Sequence, residues 1–223
     1  ITISNFVKND LIKFTGVNPE KITVTLESAD ELPKGNEPVD ELIGKKFIMY
    51  IGRPTPHKNL RRLIDAFALL QKKYPDLTLA LAGKKDSNYA RHETYVNKNG
   101  IKNVVFTGFI SDEQLRWMYE NTAVYCFPSL SEGFGLPGLE AMLHGAPVAS
   151  STATCLPETH GDAAHYFDPF SVEDIAKSID DILSDDKLRN ELVKKGKKHV
   201  KTFSWQRMAE QTLAVYEKYG RKS

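Results

Sequence analysis

The segment E-G-F-G-L-P-G-L-E, from Glu132 to Glu140, carries residue types that suit a charged, hydroxyl-rich ligand. Gly133 and Gly135 lack side chains, so their loop can bring backbone N–H groups close to a ligand. Pro137 suits the first turn of a helix beginning here, and a helix N-terminus attracts anions. The flanking carboxylates accept hydrogen bonds, and sugar hydroxyls can donate them. The segment therefore predicts a pocket that holds phosphate at the glycine turn and hydroxyl groups at Glu132 and Glu140.

Two other interpretations of this segment stay open. Gly133, Gly135 and Gly138 also satisfy the dinucleotide-binding pattern G-x-G-x-x-G, with Glu158 at the distance expected for the acidic residue of a dehydrogenase. That pattern belongs to the first strand of its domain, whereas several strand-like runs precede this one. The second alternative is a purely structural strand-to-helix turn with glutamates on the surface.

A second group of candidate residues lies in Y-I-G-R-P-T-P-H-K-N, from Tyr50 to Asn59. Arg53 and Lys58 place a guanidinium and an ammonium in a loop that follows an apolar run, and this pair suits a pyrophosphate. The alternative is that both are ordinary exposed loop cations. His57 is expected to have a positional role in the same loop, and His144 and His160 are expected to be structural.

Short apolar runs that alternate with helix-period segments indicate the fold. Strands are predicted at residues 22–26, 47–51, 77–82, 104–107, 123–127 and 147–150. Such nearly continuous apolar runs are typical of strands buried on both faces of a parallel sheet. The alternation predicts an α/β fold with a Rossmann-like, doubly wound parallel sheet.

Several helix ends can be located from the sequence. Ser4 is expected to cap a first helix that ends at Gly16, and Ser111 with Gln114 resembles a capping box. From Ser171 onward the chain is predicted to form successive helices. Residues 27–46 are rich in Glu, Asp, Pro and Gly and are expected to form a linker.

Composition excludes several classes of function. The chain has 30 Lys and Arg against 29 Asp and Glu, a formal net charge of +1, so no basic stripe for nucleic acid is expected. Cys126 and Cys155 have no metal-ligand spacing, and a reduced core thiol at Cys126 fits a cytoplasmic protein. We find no D-x-D motif, no apolar run long enough to span a bilayer and no initiator Met. The chain is therefore interpreted as a metal-independent piece of a longer protein.

Four ordered motifs give the chain a family resemblance over essentially its whole length. They are R-P-T-P-H-K-N, V-F-T-G-F-I-S-D, the glycine segment followed by G-A-P-V-A-S and P-E, and F-S-W. Together they resemble the retaining glycosyltransferases of family four, the "group one" set with the GT-B fold. The resemblance implies the C-terminal, donor-binding lobe of a GT-B enzyme.

The resemblance also implies a role for individual residues. Arg53 and Lys58 match the pair that holds the donor diphosphate, Glu132 matches the glutamate near the donor sugar, and Glu140 matches the one that binds ribose hydroxyls. We therefore expect Glu132, Arg53 and Lys58 to act in catalysis. Further donor contacts are expected from the following residues: Gly52, Phe109, Ile110, Gly133, Phe134, Gly135 and Leu136. The stretch Thr154-Cys155-Leu156 departs from the glycine-rich stretch often found there in the family.

The implied domain organisation is that of half an enzyme. Residues 1–26 are expected to end the N-terminal lobe and begin the linker, residues 27–46 to form the linker, residues 47–203 to bind the nucleotide sugar, and residues 204–223 to form a crossover helix. The missing lobe would bind a saccharide or lipid-linked saccharide acceptor and any membrane surface, at the inner face of the plasma membrane. Alone, this chain is expected to bind nucleotide and to be inactive in transfer.

The implied reaction transfers a hexose with retention in bacterial surface polysaccharide or lipopolysaccharide synthesis. The R-P-T-P-H-K-N loop resembles that of bacterial mannosyltransferases, so GDP-mannose is the expected donor and a UDP-sugar the next choice. Two alternatives remain: a non-catalytic nucleotide-sugar-binding subunit and a GT-B-fold epimerase.

Overall fold

A six-stranded, fully parallel sheet forms the centre of the computed structural model, which describes residues 1–35 and 37–220. The strands are β1 (Phe47–Ile51), β2 (Thr78–Ala82), β3 (Val104–Gly108), β4 (Val124–Phe127), β5 (Val148–Ser151) and β6 (Ala164–Phe167). Their order in the sheet is β3-β2-β1-β4-β5-β6. This order reverses direction between β1 and β4, as in doubly wound nucleotide-binding sheets.

Nine helices connect and flank these strands in the described part of the chain. They are α1 (Asn5–Thr15), α2 (Leu60–Leu70), α3 (Ser87–Lys98), α4 (Asp112–Asn121), α5 (Leu136–Leu143), α6 (Leu156–His160), α7 (Val172–Ser184), α8 (Asp186–His199) and α9 (Trp205–Gly220). Short 3-10 turns occur at Pro19–Lys21, Asp40–Leu42, Pro56–Lys58, Gly161–Ala163 and Val200–Thr202.

The helices bury both faces of the sheet. One core lies between the strands and helices α2, α3 and α7, and the other lies between the strands and helices α4, α5 and α6. Alternate residues of β1 point to opposite cores: Ile48 and Tyr50 to the first, Phe47 and Met49 to the second. This burial on both faces explains why most strand residues are apolar, and it confirms the predicted fold class.

The predicted helix ends are confirmed. Ser4 caps α1 by accepting a hydrogen bond from Val7, and Gly16 ends the helix in a left-handed conformation. Ser111 and Gln114 form the predicted capping box of α4. The region after Ser171 is helical, as predicted.

One strand prediction was wrong, and one strand was not predicted. Residues 22–26 form no strand of the sheet, because their backbone pairs only with residues 1–3 through an isolated bridge between Thr2 and Val24. The sixth strand of the sheet is β6, at the edge beside β5, and it was not predicted from the sequence. Its sequence A-H-Y-F includes a histidine and is only half-buried in the middle, so it lacks the apolar run of an inner strand.

Residues 27–35 and 37–46 contact the rest of the domain, although most of them have no regular secondary structure. Val39 and Leu42 are buried in the second core, and the backbone of Leu32 bonds to both Arg116 and His144. Residue 36 of this predicted linker and residues 221–223 of the predicted crossover helix lie outside the described residues. The division into lobe end, linker and crossover helix stays a prediction.

The glycine turn before α5 is shaped by a buried histidine. The ring of His160 lies against Gly138, where an added Cβ would be 2.2 Å from Nε2. Gly135 has a φ of 104°, which favours glycine. Nε2 of His160 lies 3.3 Å from the carbonyl oxygen of Gly135, and Nδ1 lies 3.1 Å from the hydroxyl of Ser150. A carbonyl can only accept, so Nε2 carries the proton and Nδ1 accepts from Ser150.

We expect Gly138→Ala to destabilise the fold although alanine favours a helix. The added methyl group overlaps the His160 ring, and overpacking of a core typically costs about 1–3 kcal/mol. Urea unfolding should show this loss. In a His160→Ala background the same substitution should cost little or even stabilise. An equal cost in both backgrounds would contradict the proposed clash.

Burial also predicts how stability changes with pH. Desolvation lowers the pKa of His160 from 6.5 to about 4. Between pH 6.5 and pH 4 the unfolded chain binds a proton that the folded chain excludes. The free energy of unfolding should therefore decrease as the pH is lowered through this range, by up to about 3 kcal/mol. His160→Gln, which cannot titrate, should show a flatter curve in unfolding experiments. A slope unchanged by the substitution would show that His160 does not carry the effect.

Candidate functional site

The sequence-predicted residues meet at the carboxyl edge of the sheet, where β1 and β4 lie side by side. The loop after β1 carries Arg53 and Lys58, and the loop after β4 carries Glu132 and the glycine turn. The loops diverge at this point because β1 leads to α2 on one face of the sheet and β4 leads to α5 on the other. A crevice at such a point is the usual ligand site of an open α/β sheet.

The two predicted cations are placed differently. Lys58 Nζ donates to Glu132 Oε1 at 2.6 Å, and both side chains are largely buried, with 20% and 12% exposed. Lys58 also lies over the Phe127 ring at 5.8 Å. Arg53 is exposed at the surface. One cation therefore neutralises a carboxylate inside the site, and the other remains at its mouth.

Asn59 ties together the loops that hold Lys58 and Glu132. It is buried, adopts a left-handed conformation and donates through Nδ2 to the carbonyl oxygens of Pro128 at 3.0 Å and Pro169 at 2.7 Å. The carbonyl of His57 in the same loop accepts from Leu130 N–H at 2.7 Å. No pattern in the sequence marks Asn59 as a site residue, because its partners are backbone carbonyls far along the chain.

The glycine turn offers backbone groups to the crevice. Within residues 1–35 and 37–220, the N–H groups of Phe134, Gly135 and Leu136 donate to no protein acceptor. The carbonyl of Gly133 is used, since it accepts from the Ser4 hydroxyl at 2.8 Å. The side chain of Phe134 is buried and packs edge-on against Phe203. Only its backbone is available to a ligand.

The backbone of Glu132 is held by the stretch that departs from the family pattern. Glu132 N–H donates to the Thr154 hydroxyl at 3.0 Å, and the Cys155 thiol donates to the Glu132 carbonyl at 3.3 Å. Thr154 has a positive φ of 55°. This unusual stretch therefore positions the candidate carboxylate from the neighbouring β5–α6 connection.

Glu140 lies beside a buried phenol. Its Oε2 is 3.2 Å from the hydroxyl of the fully buried Tyr119. Burial raises the pKa of Glu140, as do the charges of Asp112 and Asp30, while the Tyr119 hydrogen bond lowers it. Burial raises the pKa of Tyr125 well above its usual value, and the nearby charges of Glu140 and Glu132 add to this shift.

The residues predicted to contact a base line a cavity of about 270 Å³ beside Arg53. Phe109 at its rim is 85% exposed, and Ile110 is half-buried. The complete lining is Ile51, Gly52, Arg53, Gly83, Lys84, Phe109, Ile110, Asp112 and Leu115. Lys84 and Asp112 were not identified from the sequence, although both follow predicted strands at this edge of the sheet.

The dinucleotide interpretation of the glycine turn was wrong. Glu158, its expected ribose ligand, accepts from the backbone N–H groups of Asn5 at 2.8 Å and Phe6 at 3.0 Å, and from the Asn5 side chain at 2.8 Å. These are the first N–H groups of α1, where a carboxylate is favourable. Glu158 therefore joins α1 to the domain. His144 and His160 are buried, in agreement with their predicted structural roles.

In the ranges 1–35 and 37–220, no helix combines the length and apolar character needed to cross a bilayer. The same residues contain no group of three or more His, Cys, Asp or Glu side chains arranged to hold a metal ion.

Comparison with known proteins gives consistent matches. The model of the family "Glycosyl transferases group 1" matches residues 35–199. The chain is 31% identical to O-antigen chain mannosyltransferase B of Escherichia coli, over 97% of this chain and 60% of that protein. It is 32% identical to the MMP alpha-(1->4)-mannosyltransferase of Mycolicibacterium hassiacum, over 98% of this chain and 53% of that protein. The chain thus spans little more than half the length of these relatives.

The fold is also similar to that of a solved structure. Sucrose-phosphate synthase from Thermosynechococcus elongatus superimposes with a TM-score of 0.85 at 24% identity, over 100% of this chain and 58% of that one. This confirms the Rossmann-like C-terminal lobe of a GT-B fold. The match of the family model over most of the sequence, with the crevice at β1 and β4, shows that the chain belongs to the group 1 glycosyl transferases.

Proposed function

We propose that this chain binds the nucleoside diphosphate sugar donor of a glycosyltransferase that transfers a hexose with retention. The observation that carries the proposal is the Lys58–Glu132 ion pair beside a glycine turn with free N–H groups. A cation and backbone donors suit a diphosphate, and a carboxylate suits sugar hydroxyls.

The diphosphate would lie between Arg53, Lys58 and the start of α5. Lys58 is already held close to the turn by Glu132, while the exposed Arg53 can approach from the crevice mouth. As the sugar leaves, negative charge grows on the diphosphate. Positive groups fixed in place before the reaction would stabilise that charge more than they stabilise the bound donor.

The two carboxylates would bind opposite ends of the donor. Glu132 would accept from hydroxyls of the sugar and lie close to the positive charge that develops at its anomeric carbon. Glu140 would accept from the ribose hydroxyls, and its ionised form is required because a protonated carboxyl would compete as a donor. The base would enter the cavity at Phe109, where an exposed aromatic ring offers a stacking surface.

The relatives support mannose as the transferred sugar. Both the Escherichia coli and the Mycolicibacterium proteins are mannosyltransferases, and the first acts in O-antigen synthesis. We infer GDP-mannose as the donor, with a UDP-sugar as the second choice, and no metal cofactor. The product would be a bacterial surface polysaccharide or lipopolysaccharide, assembled in the cytoplasm at the inner face of the plasma membrane.

This chain would supply the donor half of the active site. It spans 53% to 60% of its mannosyltransferase relatives. A second lobe would bind the saccharide or lipid-linked acceptor and any membrane surface. The 223-residue chain alone should therefore bind a nucleoside diphosphate and transfer little sugar.

The first test is calorimetric titration with GDP, UDP and ADP. We expect GDP to bind most tightly, and Arg53→Ala and Glu140→Gln each to weaken GDP binding by roughly tenfold or more, because each removes a charge-assisted hydrogen bond. Arg189→Ala is a matched control, since Arg189 pairs on the surface with Asp186 in α8. The site assignment fails if no nucleoside diphosphate binds, or if both site variants bind like the control.

The second test concerns the loops tied by Asn59. Asn59→Gly keeps the left-handed backbone accessible but removes two buried hydrogen bonds. Lys58 should then be held less firmly, and GDP affinity should fall by about fivefold or more. Guanosine, which lacks the diphosphate, should bind nearly as before.

Asn103→Gly provides the control for that substitution. Asn103 also has a positive φ and donates through Nδ2 to a proline carbonyl, that of Pro75, at the opposite edge of the sheet. Its replacement should leave the affinities for GDP and guanosine unchanged. Equal losses of both ligands in Asn59→Gly would indicate a general structural defect.

A further inference from the structure

A buried tyrosine of α4 contacts the candidate ribose-binding carboxylate. Tyr119 lies on α4 and is 0% exposed. Its hydroxyl is 3.2 Å from Glu140 Oε2 and 3.3 Å from the carbonyl oxygen of Pro137. The ring is stacked on His144, with centroids 6.0 Å apart and planes at 6°, and it meets Tyr125 edge-on at 5.7 Å. The hydroxyl is therefore fixed in place from two sides.

The Tyr119 hydroxyl keeps the proton that it can donate to Glu140. Burial, together with the charge of Glu140, raises the pKa of Tyr119 well above its usual value, so the phenol stays protonated. Its single hydrogen has two acceptors within reach, and an ionised carboxylate is the stronger one. The tyrosine therefore donates to Glu140 whenever Glu140 is ionised.

We propose that Tyr119 is a positioning residue that orients the Glu140 carboxylate toward the ribose hydroxyls. This inference rests on the proposed function, because it assigns the ribose to Glu140. With one oxygen engaged by Tyr119, the other is directed to the ligand. Ribose recognition would thus depend on a hydroxyl that never touches the nucleotide.

The charges around Glu140 make this contribution measurable. Burial, Asp112 and Asp30 all raise its pKa, and the Tyr119 hydrogen bond is the opposing influence. His144, on the far side of the Tyr119 ring, has a lowered pKa because it too is partly desolvated. Removing the hydroxyl should therefore raise the pKa of Glu140 and move the loss of ribose recognition to higher pH.

The experiment compares GDP with 2′,3′-dideoxy-GDP in the parent chain and in Tyr119→Phe, by calorimetry between about pH 5 and pH 8. Both ligands carry the same diphosphate, so the ratio of their affinities cancels phosphate titration and reports on the ribose contact alone. In the parent, GDP should bind roughly tenfold or more tightly than the dideoxy analogue. In Tyr119→Phe, that ratio should fall by about fivefold, and its acidic decline should begin at higher pH.

Tyr125→Phe is the matched control. Tyr125 is equally buried and contacts the Tyr119 ring, but its hydroxyl finds no hydrogen-bond partner within residues 1–35 and 37–220. Its removal should leave the GDP-to-dideoxy ratio and its pH profile unchanged. If Tyr119→Phe does not fold, 3-fluorotyrosine at position 119 keeps the hydroxyl and makes it a better donor, so the ratio should rise.

The outcomes separate this inference from the proposed function. If the parent binds neither ligand, or binds both equally, the assignment of the ribose to Glu140 is wrong. If the parent discriminates but Tyr119→Phe keeps its ratio and pH profile, or loses affinity equally for both ligands, the positioning role is overturned. For the fluorinated protein, an unchanged or lower ratio would also overturn it.

Discussion

The candidate site depends on one topological constraint, the adjacency of β1 and β4 at the centre of the parallel sheet. Their two loops leave the same edge toward helices on opposite faces, so a crevice opens between them. Residues from distant parts of the chain then meet across it. Asn59 strengthens this arrangement, because its amide bonds to carbonyls after both β4 and β6. The loops of three strands are thereby held in one geometry.

One of the two candidate carboxylates is paired with a cation before any ligand arrives. Lys58 and Glu132 neutralise one another at 2.6 Å, which lowers the cost of holding each away from water. Glu140 has no cation at hydrogen-bond distance in the described part of the chain, and a buried phenol stabilises its charge instead. The proposed ligand would add negative phosphates near Lys58 and hydroxyl donors near Glu140. In the proposed function, the two carboxylates would bind different parts of one molecule.

Buried aromatic and imidazole rings contact the candidate site residues from the core. The His160 ring packs against Gly138 of the glycine turn, and the Tyr119 hydroxyl lies within hydrogen-bond distance of Glu140. Because these rings pack in the core, the backbone N–H groups and carboxylates above them have few alternative positions. Rigid support of this kind is what electrostatic stabilisation of a transition state requires. The proposed function of the site would thus depend on contacts that also stabilise the core.

The sequence by itself determined the local features. Five of the six strands, the caps at Ser4 and Ser111, the glycine turn and the two candidate cations all follow from residue type and spacing over short segments. Only the tertiary structure decided which polar groups meet. Residues 22–26 have a strand-like composition but no neighbouring strand in the sheet, and Glu158 has the spacing of a ribose ligand but bonds to α1. The partners of Asn59 and Tyr119 were equally hidden, since a hydrogen bond between residues far apart in the chain depends on the folded geometry and leaves no periodic pattern in the sequence.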